Sequence, residues 1–208
     1  MKARKTSREF YGEPVTLLEL STILHASFGL INGTWNELEE NNLKAVALHK
    51  ASPSGGGLHP EEAYVVVYRV EGLDPGIYYY QVRDHKLTLL KVGDFEKEVI
   101  AINFNQFYAK GTAFGIFITA RFDKTWWKYS HSRAYRVVLL DIGHVSQTFL
   151  LCATALGLNT WLTAAFKDDE LHRLLGIDGI NEGAIFYVAA GKGSNKAIPE
   201  KMLQYLRD

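Results

Sequence analysis

The chain lacks most of the features that would commit it to a specialised class. It has a single cysteine, Cys152, among 208 residues. That excludes an internal disulfide framework and any cysteine-based zinc site within one chain. It has no excess of charge, since 23 Lys+Arg face 23 Asp+Glu. A balanced chain is a poor partner for duplex DNA or an anionic membrane, so neither is expected. The seven histidines show no metal-ligand spacing, and no metal site is expected. No long apolar run is free of polar groups. The most apolar, residues 137–158, carries Asp141, His144 and Gln147 and reads as a buried helix, not a membrane span. The N-terminus is basic but has no apolar stretch behind it, so no signal peptide is expected and the expected setting is cytoplasmic and reducing. No repeat or Pro/Ser linker divides the sequence. We read one domain over residues 1–208, with residues 32–50 as a polar surface excursion.

What is present is a run of alternating element signals. Thr16 and Glu19 form a capping box ahead of Leu20, Ile23, Leu24, Ser27 and Phe28 at helical spacing, and Gly29 stops the helix. Residues 63–70 are β-branched and aromatic, a strand apolar enough to be buried on both faces. Asp74-Pro75-Gly76 is turn chemistry, and residues 77–82 and 87–92 read as the next strands. Asp94 caps a helix to about residue 105, and residues 114–120 form another buried strand. Residues 133–156 are the longest helix, about 35 Å at 1.5 Å per residue. It is apolar nearly all round except for a stripe of Asp141, His144 and Thr148, so it should be covered by other elements or a second subunit. His144 reads as an interior histidine and Cys152 as an inert buried thiol. Asp168 caps a helix ending near Leu175, and residues 184–190 are the last strand. The class is α+β, a mixed β-sheet flanked by helices, one of them long and central.

Three segments exceed what folding requires. Arg4-Lys5-Thr6-Ser7-Arg8 offers planar guanidinium forks and hydroxyls suited to a phosphate; the alternative is a solvated basic terminus. Ser52-Pro53-Ser54-Gly55-Gly56-Gly57-Leu58-His59-Pro60 removes three consecutive β-carbons and lets backbone approach a flat ligand; the alternative is a flexible loop. It matches neither the dinucleotide fingerprint nor the P-loop. Trp126-Trp127-Lys128-Tyr129 runs into the long helix and could hold a partly desolvated amine or phenol; the alternative is core packing or an interface patch. No serine lies in a nucleophile-elbow pattern.

In their order along the chain these segments resemble the flavin-dependent nitroreductase family, and within it the SagB-type dehydrogenase branch that includes azoline oxidases of modified peptides. R-K-T-S-R-E-F is similar to the family's R-R-S-x-R-x-F. S-P-S-G-G-G-L-H-P is similar to A-P-S-A-G-A-L-Y-P. The segment from Lys128 to Gln147 resembles K-Y-x-x-R-A-Y-R…L-L-D-x-G-H-x-x-Q, and A-L-G-L-N-T-W-L-T-A-A-F resembles A-L-G-L-…-G-G-F. The resemblance runs from Arg4 to about Gly193. It implies a nitroreductase-like fold and FMN as cofactor, with Arg4, Thr6 and Arg8 on its phosphate. Pro53, Ser54, Gly55 and Gly56 would line the ring and ribityl chain, and Ala164 and Ala165 would offer backbone N–H near N5. Lys128 and Tyr129 match the pair with a catalytic role, and Gln106 and Lys192 would be a ring and a phosphate contact. The chain departs from the pattern at Lys5 and Thr6 for Arg and Ser, at His59 for Tyr, and at Ala164-Ala165 for Gly-Gly. No separate precursor-peptide recognition domain is expected.

The implied reaction is two-electron oxidation of an organic substrate such as a peptide azoline to an azole, with Lys128 or Tyr129 removing a ring proton and dioxygen reoxidising the cofactor. Both side chains ordinarily titrate at about pH 10, so a base role requires a downward shift. The alternatives are an NAD(P)H-dependent nitro or quinone reductase, and a non-catalytic flavin-binding subunit of a peptide-modifying complex. The resemblance further implies a homodimer with FMN where the subunits meet, a small-molecule or peptide substrate, and partner enzymes of a biosynthetic cluster.

Overall fold

The computed structural model describes residues 2–31, 40, 49–196, 198–199 and 203–204. Helix α1 spans Leu17–Phe28, and its expected capping box is formed: Glu19 N–H donates to Thr16 Oγ1 at 3.2 Å while Thr16 N–H donates to Glu19 Oε2 at 2.7 Å. Strands β1 (Glu61–Val67), β2 (Gly76–Gln81) and β3 (Lys86–Val92) form a meander, followed by helix α2 (Glu96–Ile102). Strand β4 (Phe114–Arg121) leads directly into the short helix α3 (Phe122–Trp126) and then the long helix α4 (Ala134–Ala155). Strand β5 (Asn159–Thr163), helix α5 (Asp168–Leu175) and strand β6 (Glu182–Gly191) complete the elements. Most of the expected excursion at residues 32–50 lies outside the described residues.

The six strands form one sheet in the order β3-β2-β1-β4-β6-β5, and every neighbouring pair is antiparallel. Parallel pairing enters only at the isolated bridges Thr6↔Thr160 and Val15↔Val70. Period-2 alternation explains how the sheet is covered on both faces. On β1, Ala63, Val65 and Val67 join a core with α1 and α4, whereas Tyr64 and Val66 join a second core with α2 and α5. This is why β1 and β4 read as near-continuous apolar runs.

The strand read over residues 63–70 is shifted to Glu61–Val67 and the last strand extends to Glu182–Gly191, and two helix ends and two unread elements differ further, each for a local reason. Asp94 does accept Glu96 N–H at 3.0 Å, but the helix ends at Ile102 because Phe104 and Asn105 take positive φ. The helix at Asp168 is preceded by Lys167 as its cap, so Asp168 contributes first-turn charge instead. Strand β5 follows directly on the tight turn at Gly157, and helix α3 is only five residues long. Neither carries enough periodicity to be read beforehand.

Helix α4 is long and apolar enough to cross a membrane by length and composition, yet Val138, Ile142, Val145, Phe149 and Ala153 are packed in the core. Its outer face carries Tyr135, Leu139 and Leu140, all exposed. The all-round cover expected of it is therefore only half supplied by this chain.

Candidate active site

The Gly-rich loop is held by the polar stripe of α4. Asp141, buried on an otherwise apolar helix, accepts from Ser54 Oγ at 2.7 Å and from Gly55 N–H at 3.0 Å. Ser52 Oγ lies 2.6 Å from Thr148 Oγ1, and His144 Nδ1 lies 3.1 Å from the Pro53 carbonyl. Thus the stripe of Asp141, His144 and Thr148 is a docking strip for the loop. His144 is exposed on the outer side of the helix, not interior as expected, because its partner is a surface carbonyl. Gly55 has no room for a side chain: a β-carbon there would stand 2.2 Å from Val137 Cγ1.

The loop meets the second motif at Gly56, whose φ is +68°. Lys128 Nζ donates to the Gly56 carbonyl at 3.2 Å. A β-carbon on Gly56 would lie 2.6 Å from the Tyr129 hydroxyl and 2.8 Å from Lys128 Nζ. Residues 72 positions apart in sequence are so brought to one point, with Lys128 exposed and Tyr129 half-buried. Helix α3 sets the pair in place, because Lys128 and Tyr129 N–H both donate to the Thr125 carbonyl. It is tied to the sheet through Lys124 Nζ, 2.6 Å from Glu62 Oε1, while the Tyr79 hydroxyl donates to Glu62 Oε2 at 2.7 Å. Burial and that carboxylate push the Tyr79 phenol far above its ordinary value, so it stays a donor. Of the two tryptophans, Trp126 packs its ring 5.3 Å from Phe122 while remaining partly exposed, and Trp127 is 82% exposed, so core packing does not account for it.

A second group forms along edge strand β5. The N-terminal arm pairs with it at Thr6↔Thr160, with Ser7 N–H donating to the Thr160 carbonyl at 2.7 Å. The Asn159 amide ties Ser7 Oγ and the Ser194 carbonyl together, at 2.8 and 3.0 Å. Tyr11 N–H donates to the Lys192 carbonyl, so Arg4, Thr6 and Arg8 share this edge with Lys192. Lys192 Nζ stands 4.0 Å from Glu13, an exposed pair that is loosely held. The Arg8 guanidinium lies 5.9 Å from the Tyr108 ring centroid, linking the arm to the segment that carries Gln106. Gln106 Nε2 donates to the Ala165 carbonyl at 3.0 Å and lies 3.2 Å from Thr163 Oγ1. Ala165 N–H is engaged by Thr163 Oγ1 at 3.0 Å, while Ala164 and Ala165 are exposed at the strand end.

Sequence reasoning found the endpoints of these contacts but not the residues that fix them: Asp141, Thr148, Asn159 and Thr163. The polar stripe on an apolar helix was the available signal for the first two. Cys152 is half-buried, and burial pushes its thiol up, in keeping with the inert role expected. Among the described residues no cluster of His, Cys, Asp or Glu could hold a metal ion.

Known proteins place this architecture. The chain is 32% identical over 174 residues to MJ1384 of Methanocaldococcus jannaschii, a protein named as a nitroreductase, covering 84% of this chain and 81% of that one. It is 30% identical over 162 residues to the trifolitoxin-processing protein TfxB of Rhizobium leguminosarum bv. trifolii, covering 75% of this chain and 43% of TfxB. The chain therefore spans less than half of TfxB. The fold matches a chain of the Escherichia coli microcin synthetase McbBCD complex with a TM-score of 0.70 at 18% identity, covering 92% of this chain and 70% of that one. A model of the Nitroreductase family matches residues 1–192. The chain belongs to the Nitroreductase family, a family of oxidoreductases.

Proposed function

We propose that this protein is an FMN-dependent oxidoreductase of the SagB-type dehydrogenase kind, acting on an organic substrate such as a peptide azoline, and that residues 1–208 form one FMN-binding domain. The observation that carries the reading is the meeting of Lys128 and Tyr129 with Gly56 on a loop bare of side chains. The residues present fit FMN. Arg4, Thr6 and Arg8 lie along the arm whose backbone pairs with Thr160 and Lys192, and two guanidinium groups, a hydroxyl and an ammonium are donors suited to a phosphate. A β-carbon at Gly57 would meet nothing within 4 Å, so the loop is open at that point, and Pro53, Ser54, Gly55 and Gly56 would line the ring and ribityl chain with their backbone. Gln106 and the Ala164-Ala165 backbone would face the ring from the β5 edge.

When bound, FMN supplies the two-electron acceptor. The chain's own part is to hold the substrate's acidic C–H near Lys128 Nζ or the Tyr129 hydroxyl and to take that proton. Lys128 is exposed in the single chain, so desolvation must come from what lands on it. We propose that this is a second copy, giving a homodimer with FMN at the interface. Supporting this, the loop group is carried by α4 and the arm group by the β5 edge, and Tyr135, Leu139 and Leu140 on the outer face of α4 are exposed. TfxB's name suggests a peptide substrate and partner enzymes of a biosynthetic cluster, and we extend both to this chain. An unpaired Cys152 suits a reducing cytoplasm.

The test begins with the visible spectrum of the purified protein and FMN titration. A flavin band that persists through anaerobic addition of NADH or NADPH, then bleaches with azoline peptides, is the expected result. Rapid bleaching by nicotinamide would instead support the NAD(P)H-dependent reductase reading that the likeness to MJ1384 favours. Lys128→Ala and Tyr129→Phe should each lower turnover about 10²–10⁴-fold with FMN still bound. Unchanged turnover at full occupancy would remove the pair from the mechanism.

A further inference from the structure

The ends of the Gly-rich loop converge on a buried charge cluster outside both groups described above. Lys50, just before the loop, places Nζ 2.8 Å from Glu61 Oε1, with the side chains 6% and 0% exposed. His59, near its end, is also buried and places Nδ1 3.4 Å from the same oxygen, just beyond a good hydrogen bond. His59 Nδ1 and Glu61 Oε2 make no hydrogen bond. His59 adopts φ +47°, an uncommon conformation for a residue with a β-carbon. Its N–H donates at 2.9 Å to Ser54 Oγ, the hydroxyl that binds Asp141. Backbone strain, a buried ion pair and two orphaned polar atoms thus coincide at the base of one loop. A carboxylate buried so deeply would be raised by desolvation, but the His59 contact and the Lys50 charge outweigh it and hold Glu61 below its ordinary value.

We propose that Lys50, Glu61 and His59 are positioning residues that fix the Gly-rich loop against Lys128 and Tyr129, with His59 as a reserve cation for Glu61. Lys50 and Glu61 staple the two ends of the 51–60 excursion. His59 then passes that constraint, through its N–H, to Ser54 and so to α4. Lys50 is the standing countercharge. His59 has an unengaged nitrogen aimed at the same carboxylate and can take over that task on gaining a proton. The other charged and titratable groups around the loop, among the described residues, are otherwise engaged: Asp141 with Ser54 and Gly55, His144 with the Pro53 carbonyl, Lys128 with the Gly56 carbonyl, Lys124 with Glu62, and Arg121 with Asp123; His144 is retained in every variant below, so it is common to all the profiles. Beneath them Thr125 Oγ1 is a further buried, unbonded hydroxyl. The resemblance gives tyrosine at the position of His59, so this device belongs to the present chain.

The test is hydrogen exchange of residues 51–60 in the full chain without flavin, corrected for intrinsic rates, from pH 5.5 to pH 8. Wild-type protection should be level across this range. In Lys50→Met, His59 is the countercharge left to Glu61 among the described residues. Protection should then fall by about tenfold or more as pH rises through the range where histidine loses its proton. Lys50→Met/His59→Asn, with an asparagine that tolerates the left-handed conformation, should be weakly protected at every pH. A level profile in Lys50→Met would overturn the proposal, since loss of packing alone carries no such signature. Should Lys50→Met fold at neither pH, the uncharged Lys50→Met/Glu61→Gln chain must fold; failure of both overturns it too. FMN titration of the same variants should show weakening that parallels the exchange. Exchange as expected without any FMN binding would uphold the network and sink only the cofactor reading on which its link to catalysis rests.

Discussion

One methyl group is enough to probe the contact between Gly56 and the Lys128–Tyr129 pair. In Gly56→Ala the new carbon would stand 2.6 Å from the Tyr129 hydroxyl, closer than van der Waals contact allows, and the residue would be held at φ +68°. Gly57 has almost the same φ, +67°, but open space around its α-carbon. Both substitutions incur the left-handed penalty of about 1–2 kcal/mol; only the first displaces the pair. We expect Gly56→Ala to weaken FMN binding about tenfold more than Gly57→Ala at similar thermal stability, measured by fluorescence quenching and calorimetry. Equal effects would mean that the loop's conformation matters and its neighbours do not. At this scale the sequence was informative about identity and silent about partnership. Three successive glycines announced a close approach, and Lys128-Tyr129 stood out among tryptophans. That the two touch depends on the register of β1 against β4, with Glu61 opposite Ala120, which no local pattern encodes.

Helix α4 does two jobs with two faces. Its inner face supplies Val138, Ile142, Val145 and Phe149 to the core, and its polar stripe receives the loop. Asp141 joins the two, being buried while bonded to Ser54 Oγ and Gly55 N–H. Asp141→Ala leaves both donors without an acceptor and should cost about 2–4 kcal/mol of stability, read by urea denaturation. It should also weaken FMN binding, because the loop loses its anchor; full retention of affinity would place the loop's order elsewhere. The long elements were legible because period 2 or 3.6 repeats enough times within them. Strand β5 and helix α3 were not, being five residues each and specified by what they meet. The basic arm was legible as chemistry but not as structure: its pairing with Thr160 spans three-quarters of the chain.

For the molecule as a whole, the apolar outer face of α4 argues that one copy is not the working unit. On its outer face Leu139 and Leu140 are 43% and 56% exposed and Tyr135 is exposed as well. We expect the protein to elute at twice 23.4 kDa, and Leu140→Glu to shift it toward the monomer and release FMN together. A monomer that keeps FMN would confine the site to one chain. The sheet's opposite limit is treated differently: edge strand β3 exposes Leu89, Leu90 and Val92 but carries Lys86 and Lys91, charges that discourage edge-to-edge stacking.

The pairing of the N-terminal arm with β5 also orders events during synthesis. Residues 4–8 are made well before their partner strand, which begins at Asn159, and before their second contacts at Lys192 to Asn195. The segment offered to the phosphate must wait, unpaired, while most of the chain is made, and close over a finished sheet. Such long-range contacts form late. The edge that carries Arg4, Thr6 and Arg8 is therefore completed only after the α4 and β6 layers are in place.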